Sequence, residues 1–303
     1  MHSSELPSTP AWHAPAAQAG REAPAPVRAT VRGLRSLVSP ATLAGSLTEL
    51  AWVGAHALLY PLGTRTEQLS LDRRYRPGAQ PPAVRALFAE DPLAAHIPVV
   101  LVHGLVDNRS VFTVMRRALR RRGFAQVCTW NYSPLQRDVE GAAEALGRHI
   151  ERVCRETGHE RVHVVGHSLG GLIARYLVQR LGGDDRVESL VTLGTPHAGT
   201  RWAHVLPTPL VRQLRPGSPL MEELAEPAAS CRTRITAVYS DLDQMVVPST
   251  AGRCDHPDLG ARNVLFRGVG HMSLPIHRGV CDEVAATLAG LRDRSGRPDS
   301  AAA

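Results

Sequence analysis

The β-rich run Arg161-Val162-His163-Val164-Val165 passes without a break into Gly166-His167-Ser168-Leu169-Gly170, and an apolar-periodic stretch then continues to about Leu181. The order of strand, G-x-S-x-G and helix restricts the fold more than any other feature of the chain. By itself the five-residue pattern is weak; its setting gives it meaning. A strand that turns straight into a helix holds the serine hydroxyl at the tip of a tight corner. Bulky neighbours would clash there, hence Gly166 and Gly170 two positions to either side. The helix N-terminus beside the serine favours developing negative charge.

Other segments repeat the alternation. Strands are expected at Pro98–Val102, Gln126–Asn131, Arg161–Val165, Val187–Leu193, Ile235–Tyr239 and Asn263–Phe266. Helices are expected from a Ser110 cap to Arg122, over Asp138–Glu156 with a stop near Gly158, after Ser168 to Leu181, and over Pro275–Leu291. Short β-rich runs separated by helical patterns define an α/β chain with a mostly parallel sheet flanked by helices. Between Thr195 and Ser230 lies an insertion with helical pieces. Its apolar residues Trp202, Val205, Leu206, Leu210, Val211, Leu214, Leu220, Met221 and Leu224 suit either a short lid or core-facing connecting helices.

The ends of the chain read differently. Residues 1–36 are rich in Pro, Ala and Ser and are expected to be disordered. Residues 37–82 read as an amphipathic helix followed by a Pro-rich linker, 83–292 as the α/β domain, and 293–303 as a flexible tail. The apolar stretch 37–62 is long enough to span a bilayer, but Glu49 and His56 interrupt it. Its spacing suits packing on the catalytic domain or lying on a membrane surface better than spanning. No standard signal peptide follows Met1, which favours a cytoplasmic or membrane-associated protein over a secreted one. The compartment itself is left unknown.

The net charge of +7 invites an anionic partner, yet every one of the 35 basic residues is Arg, which points to codon bias and solvated helix faces. Aromatics make up only 4%, too few for a base-stacking surface, so no nucleic-acid partner is expected. The five cysteines form no C-x-x-C pair; Cys128 and Cys154 sit in apolar patterns, while Cys231 and Cys254 flank a strand and are able to pair in an oxidising compartment. Asp255, His256 and Asp258 cluster in what reads as a solvated turn, and no metal or cofactor is expected.

A serine nucleophile needs a base and an acid to orient it. Two loops at the C-terminal ends of late strands supply candidates, where open α/β sheets place ligands. Tyr239-Ser240-Asp241-Leu242-Asp243 offers two carboxylates, of which Asp243 is preferred because it begins the turn toward Val246. Gly268-Val269-Gly270-His271 offers the base, with His167, His197 and His277 as lesser histidines. The tetrahedral oxyanion requires backbone donors: the N–H of Leu169 directly after the serine, and that of Leu105 in His103-Gly104-Leu105.

Taken together, His103-Gly104-Leu105, Gly166–Gly170, Leu193-Gly194-Thr195-Pro196-His197, Tyr239–Asp243 and Gly268–His271 resemble a small bacterial lipase of the α/β-hydrolase superfamily, over roughly residues 97–291. The resemblance implies an α/β-hydrolase fold with a lid-like insertion, and hydrolysis of carboxylic esters of lipids or small molecules. It implies Ser168 as nucleophile, Asp243 as acid, His271 as base, and Leu105 and Leu169 as oxyanion amides. Two rival readings stay open: acyl transfer or thioester cleavage by the same residues, and a non-catalytic membrane-surface module using residues 37–62.

Overall fold

The computed structural model describes residues 96–291, apart from 106, 108, 133–135 and 206–207. The expectations for residues 1–95 and for the tail after Leu291 therefore lie outside the described residues.

Among the described residues six strands form one parallel sheet: β1 (Val99–Val102), β2 (Val127–Trp130), β3 (Val162–His167), β4 (Val187–Leu193), β5 (Arg234–Ser240) and β6 (Arg262–Phe266), in the spatial order β2-β1-β3-β4-β5-β6. Of these, the first strand lies inside the sheet, the second at one edge, and the rest build toward the other. All four residues of β1 are buried, as a parallel strand covered on both faces requires.

Alternate strand residues feed two cores. Val100, Val102, Val164 and Leu190 face α2 (Val139–Thr157) and α3 (Leu169–Arg180). Val99, Leu101, Val165 and Val191 face α1 (Thr113–Arg121) and α6 (Arg278–Leu288). Fully burying each such side chain stabilises the fold by ~1.5–3 kcal/mol.

Local chemistry sets the helix ends. The Asp138 carboxylate accepts from Gly141 N at 2.7 Å to start α2, and Gly158, in the left-handed region at φ 73°, ends it. The first helix departs from expectation. A 3-10 turn occupies Arg109–Phe112 and α1 begins only at Thr113, so Ser110 lies within that turn and does not cap the α-helix.

The insertion after β4 holds a 3-10 turn at Arg201–His204 and two short helices, α4 (Pro209–Gln213) and α5 (Pro219–Glu223). Thr208 and Ser218 cap the two helices, each with proline in the first turn. Leu210, Val211, Leu214, Leu220, Met221 and Leu224 point into the core beside α3. Val205 is 69% exposed, and Trp202 is half-buried against the core. Most of the apolar character of this segment thus serves packing. All five cysteines are free thiols, so Cys231 and Cys254 do not pair; Cys254 is buried in the core, and the Cys231 thiol lies beside Asp184. Among the described residues no helix is long and apolar enough to cross a membrane.

Candidate active site

Ser168 occupies the one residue between β3 and α3. Its φ of 53° and ψ of −122° make it the sole non-glycine residue with positive φ among the described residues. A backbone of this kind costs about 1–3 kcal/mol and persists only where its surroundings enforce it. The enforcement is visible. Ser168 N donates to Leu193 O on β4 (2.8 Å), and the Ser168 carbonyl accepts from Gly171 N (3.0 Å) and from Thr195 Oγ1 (2.9 Å).

The flanking glycines have steric causes. A Cβ on Gly166 would fall 2.5 Å from Gly171 Cα, and one on Gly170 would fall 2.3 Å from Val102 O. Gly171, which the five-residue pattern does not include, is the most confined: its Cβ would meet Thr195 Oγ1 at 1.9 Å. Thr195 and Gly171 are parts of the corner that sequence reasoning missed, although Leu193-Gly194-Thr195 was already conspicuous as a motif.

The Leu169 amide opens α3 and has no acceptor within its own helix, so it is available beside the serine. Leu105 follows Gly104, whose hypothetical Cβ would lie 3.1 Å from Ser168 Cβ, so the turn after β1 crosses directly over the serine. That turn is held by its carbonyl: Gly104 O accepts from Tyr132 Oη at 2.6 Å and from His103 Nδ1 at 2.9 Å, and the His103 and Tyr132 rings stack at 4.3 Å.

On the far side, Asp243 and His271 meet. Asp243 Oδ2 lies 2.8 Å from His271 Nδ1, and both residues are buried. The other carboxylate oxygen accepts from Met245 N (2.9 Å) and Val246 N (2.8 Å), which fixes the plane of the group. A carboxylate against Nδ1 places the proton there and leaves Nε2 as the basic nitrogen. Asp241 points elsewhere, accepting from Gly268 N at 2.8 Å and pairing with Arg267 at 3.7 Å. Gly194 makes room for the pair: at φ 55°, its Cβ would sit 2.9 Å from Asp243 Oδ2 and 3.1 Å from His271 Nδ1.

The lesser histidines have other partners. His167 is fully buried, with Nδ1 3.2 Å from Asp107 Oδ2 and Nε2 3.2 Å from His271 O. His197 bonds Thr192 Oγ1 through Nε2 (2.8 Å), and burial, reinforced by the Arg175 cation, drives its pKa well below that of a free histidine. His277 packs against the edge of Phe266. In the Asp255–Asp258 loop, Asp255 pairs with Arg253, Asp258 accepts from Ala228 N, and His256 donates to Glu226 O. Among the described residues no group of three or more His, Cys, Asp and Glu side chains is arranged to hold a metal ion.

A parallel sheet with a serine at a strained strand–helix corner and an Asp–His pair on the following loops is an α/β-hydrolase. Residues 98–250, half of the chain, match the palmitoyl protein thioesterase family, and the chain belongs to that family. It is 31% identical over 181 residues to a triacylglycerol lipase of Burkholderia plantarii, covering 57% of this chain and 44% of that protein. To a triacylglycerol lipase of Pseudarthrobacter phenanthrenivorans it is 35% identical over 118 residues, 36% of each chain. The chain thus spans less than half the length of these curated relatives. Among solved structures, the mature lipase of Bacillus licheniformis superimposes with a TM-score of 0.56 at 18% identity, covering 64% of this chain and 92% of that one, which supports the fold.

Proposed function

We propose that this chain is a carboxylic ester hydrolase acting on lipid acyl esters through a covalent acyl-enzyme, with Ser168 as nucleophile, His271 as base and Asp243 as orienting acid. The observation that carries the reading is the 2.8 Å contact of Asp243 with His271 Nδ1, on loops beside the strained Ser168 corner. In the first step Ser168 Oγ attacks the ester carbonyl carbon while His271 Nε2 takes its proton. The carbonyl oxygen becomes an oxyanion that leans on the Leu105 and Leu169 amides, each worth ~2.7–4 kcal/mol to the transition state. The C–O bond then breaks, and His271 returns the proton to the departing alcohol. Water, deprotonated by His271, attacks the acyl-enzyme, and the collapse releases the carboxylic acid and Ser168. Residues 37–62 would bring this site to a lipid surface.

A second reading, cleavage of acyl thioesters, is favoured by the family match over residues 98–250. The same residues serve both, but a thiol of pKa about 8.5 leaves with far less help from a general acid than an alcohol does. The test compares p-nitrophenyl butyrate, p-nitrophenyl palmitate and a palmitoyl thioester, each with wild type and Ser168→Ala. Serine-dependent turnover is expected, with the substitution lowering kcat on the order of 10⁶-fold. Preference for the long-chain oxygen ester supports a lipase, and preference for the thioester supports the second reading. If Ser168→Ala kept the wild-type rate, the assignment would fall; vesicle binding without any turnover would leave the membrane-surface module in its place.

A further inference from the structure

We propose that Asp107 and His167 form a second acid–histidine pair that holds His271 by its main chain and links it to the Gly104 turn. Both are positioning residues, and the proposal rests on the assignment of Ser168, Asp243 and His271 given above.

The His167 ring lies between two oxygens, with Asp107 Oδ2 at 3.2 Å from Nδ1 and the His271 carbonyl at 3.2 Å from Nε2. Its centroid is 4.8 Å from that of the His271 ring. A carbonyl oxygen only accepts, so Nε2 must carry a proton. The Nδ1 atom is then either a second N–H directed at a carboxylate, or the acceptor of a proton carried by Asp107. In both arrangements the pair holds two protons in all and bears no net charge. The opposite tautomer would set a nitrogen lone pair against the His271 carbonyl inside a buried site, an unfavourable contact of two acceptors.

Location gives the pair its role. Asp107 lies in the segment after β1 and packs on the oxyanion turn, with its Oδ2 3.0 Å from where a Gly104 Cβ would be. His167 is the residue before the serine, and its other contact is the backbone of the base. One chain of contacts therefore joins the oxyanion turn, the serine corner and His271. Asp243 fixes the His271 ring from the side-chain end, and His167 fixes its main chain. A base displaced by ~1 Å loses about 10²-fold in rate.

Two measurements test this. The first reads the ring nitrogens of ¹⁵N-histidine-labelled wild-type protein by NMR near neutral pH, with His167→Gln used to assign the resonances. Protonated Nε2 on His167 is expected; a neutral ring protonated only on Nδ1 would overturn the pair. The second compares Asp107→Ala with Asp107→Asn on p-nitrophenyl butyrate. Asp107→Ala should lower kcat by about 10²-fold with KM within about twofold. Asp107→Asn, whose amide can donate to Nδ1 while Nε2–H persists, should recover to within about tenfold of wild type. Wild-type kcat in Asp107→Ala, or equal losses in both variants, would also overturn it. Should Asp107→Ala fail to fold, the wild-type NMR measurement still decides. Persistence of turnover in Ser168→Ala would sink the catalytic assignment instead, and leaves the NMR result to be judged on its own.

Discussion

Thr195 Oγ1 donates to the carbonyl of Ser168 across 2.9 Å, and the same oxygen fills the space that a side chain on Gly171 would need. One hydroxyl from the loop after β4 thus both ties down the strained corner and dictates a glycine three residues beyond the serine. The two positions should be energetically coupled. Gly171→Ala alone is expected to lower stability by about 1–3 kcal/mol or more through overpacking. Thr195→Ala should cost ~1 kcal/mol for the lost hydrogen bond. In the double variant the 1.9 Å clash with Oγ1 is gone, while Thr195 Cβ at 2.9 Å and Thr192 Cβ at 3.1 Å still crowd the position, so its loss should be smaller than the sum of the two. Chemical denaturation of all four proteins closes the cycle. Strict additivity would mean that Thr195 does not define the Gly171 site.

Asp241 and Asp243 differ by two positions in one turn, and their partners predict a sharp kinetic contrast. Asp243→Asn keeps the shape but presents an amide to His271 Nδ1, which favours the wrong tautomer and should lower kcat on the order of 10⁴-fold. Asp241→Asn alters only a surface contact with Gly268 and Arg267, and kcat should stay within about twofold. Comparable losses in the two variants would show that the 2.8 Å contact of Asp243 does not carry the orienting role.

The strands were legible because a parallel sheet buried on both faces imposes continuous apolar runs, and Val99–Val102 and Val187–Leu193 appear where those runs lie. Gly166 and Gly170 were legible from spacing alone, since a tight corner constrains residues close in sequence. Long-range contacts left no such trace. Asp107 gains its significance from a ring 60 positions away, and nothing in His103–Asp107 announces that partner. Arg175 likewise reads as one more arginine on a helix. Only the fold reveals it as a buried clamp, donating to His197 O at 3.0 Å and Leu224 O at 2.8 Å. Ser110 misled for a local reason: a 3-10 turn shares the sequence preferences of a helix start, and periodicity does not separate them.

His163 supplies a prediction about pH. It lies on β3 with 1% exposure, and neither ring nitrogen has a hydrogen-bond partner among the described residues. Burial, with the Arg234 and Arg161 cations adding to it, lowers its pKa from 6.5 to about 3. Folded His163 therefore stays neutral while a histidine in the unfolded chain takes up a proton below about pH 6.5. Unfolding then binds a proton throughout the window between the two values, so stability falls as pH falls, by about 1.4 kcal/mol per pH unit. His197, also displaced downward, adds a loss of the same sign, so the useful comparison is wild type against a His163 variant. His163→Leu removes both the titration and two unsatisfied nitrogens. At pH 7 the variant should be as stable as wild type or more so, by up to ~3 kcal/mol. Between pH 7 and pH 5 wild type should lose about 2 kcal/mol more than the variant does. Urea denaturation at the two pH values measures both differences, and parallel losses would mean that His163 is charged or hydrated in the folded protein.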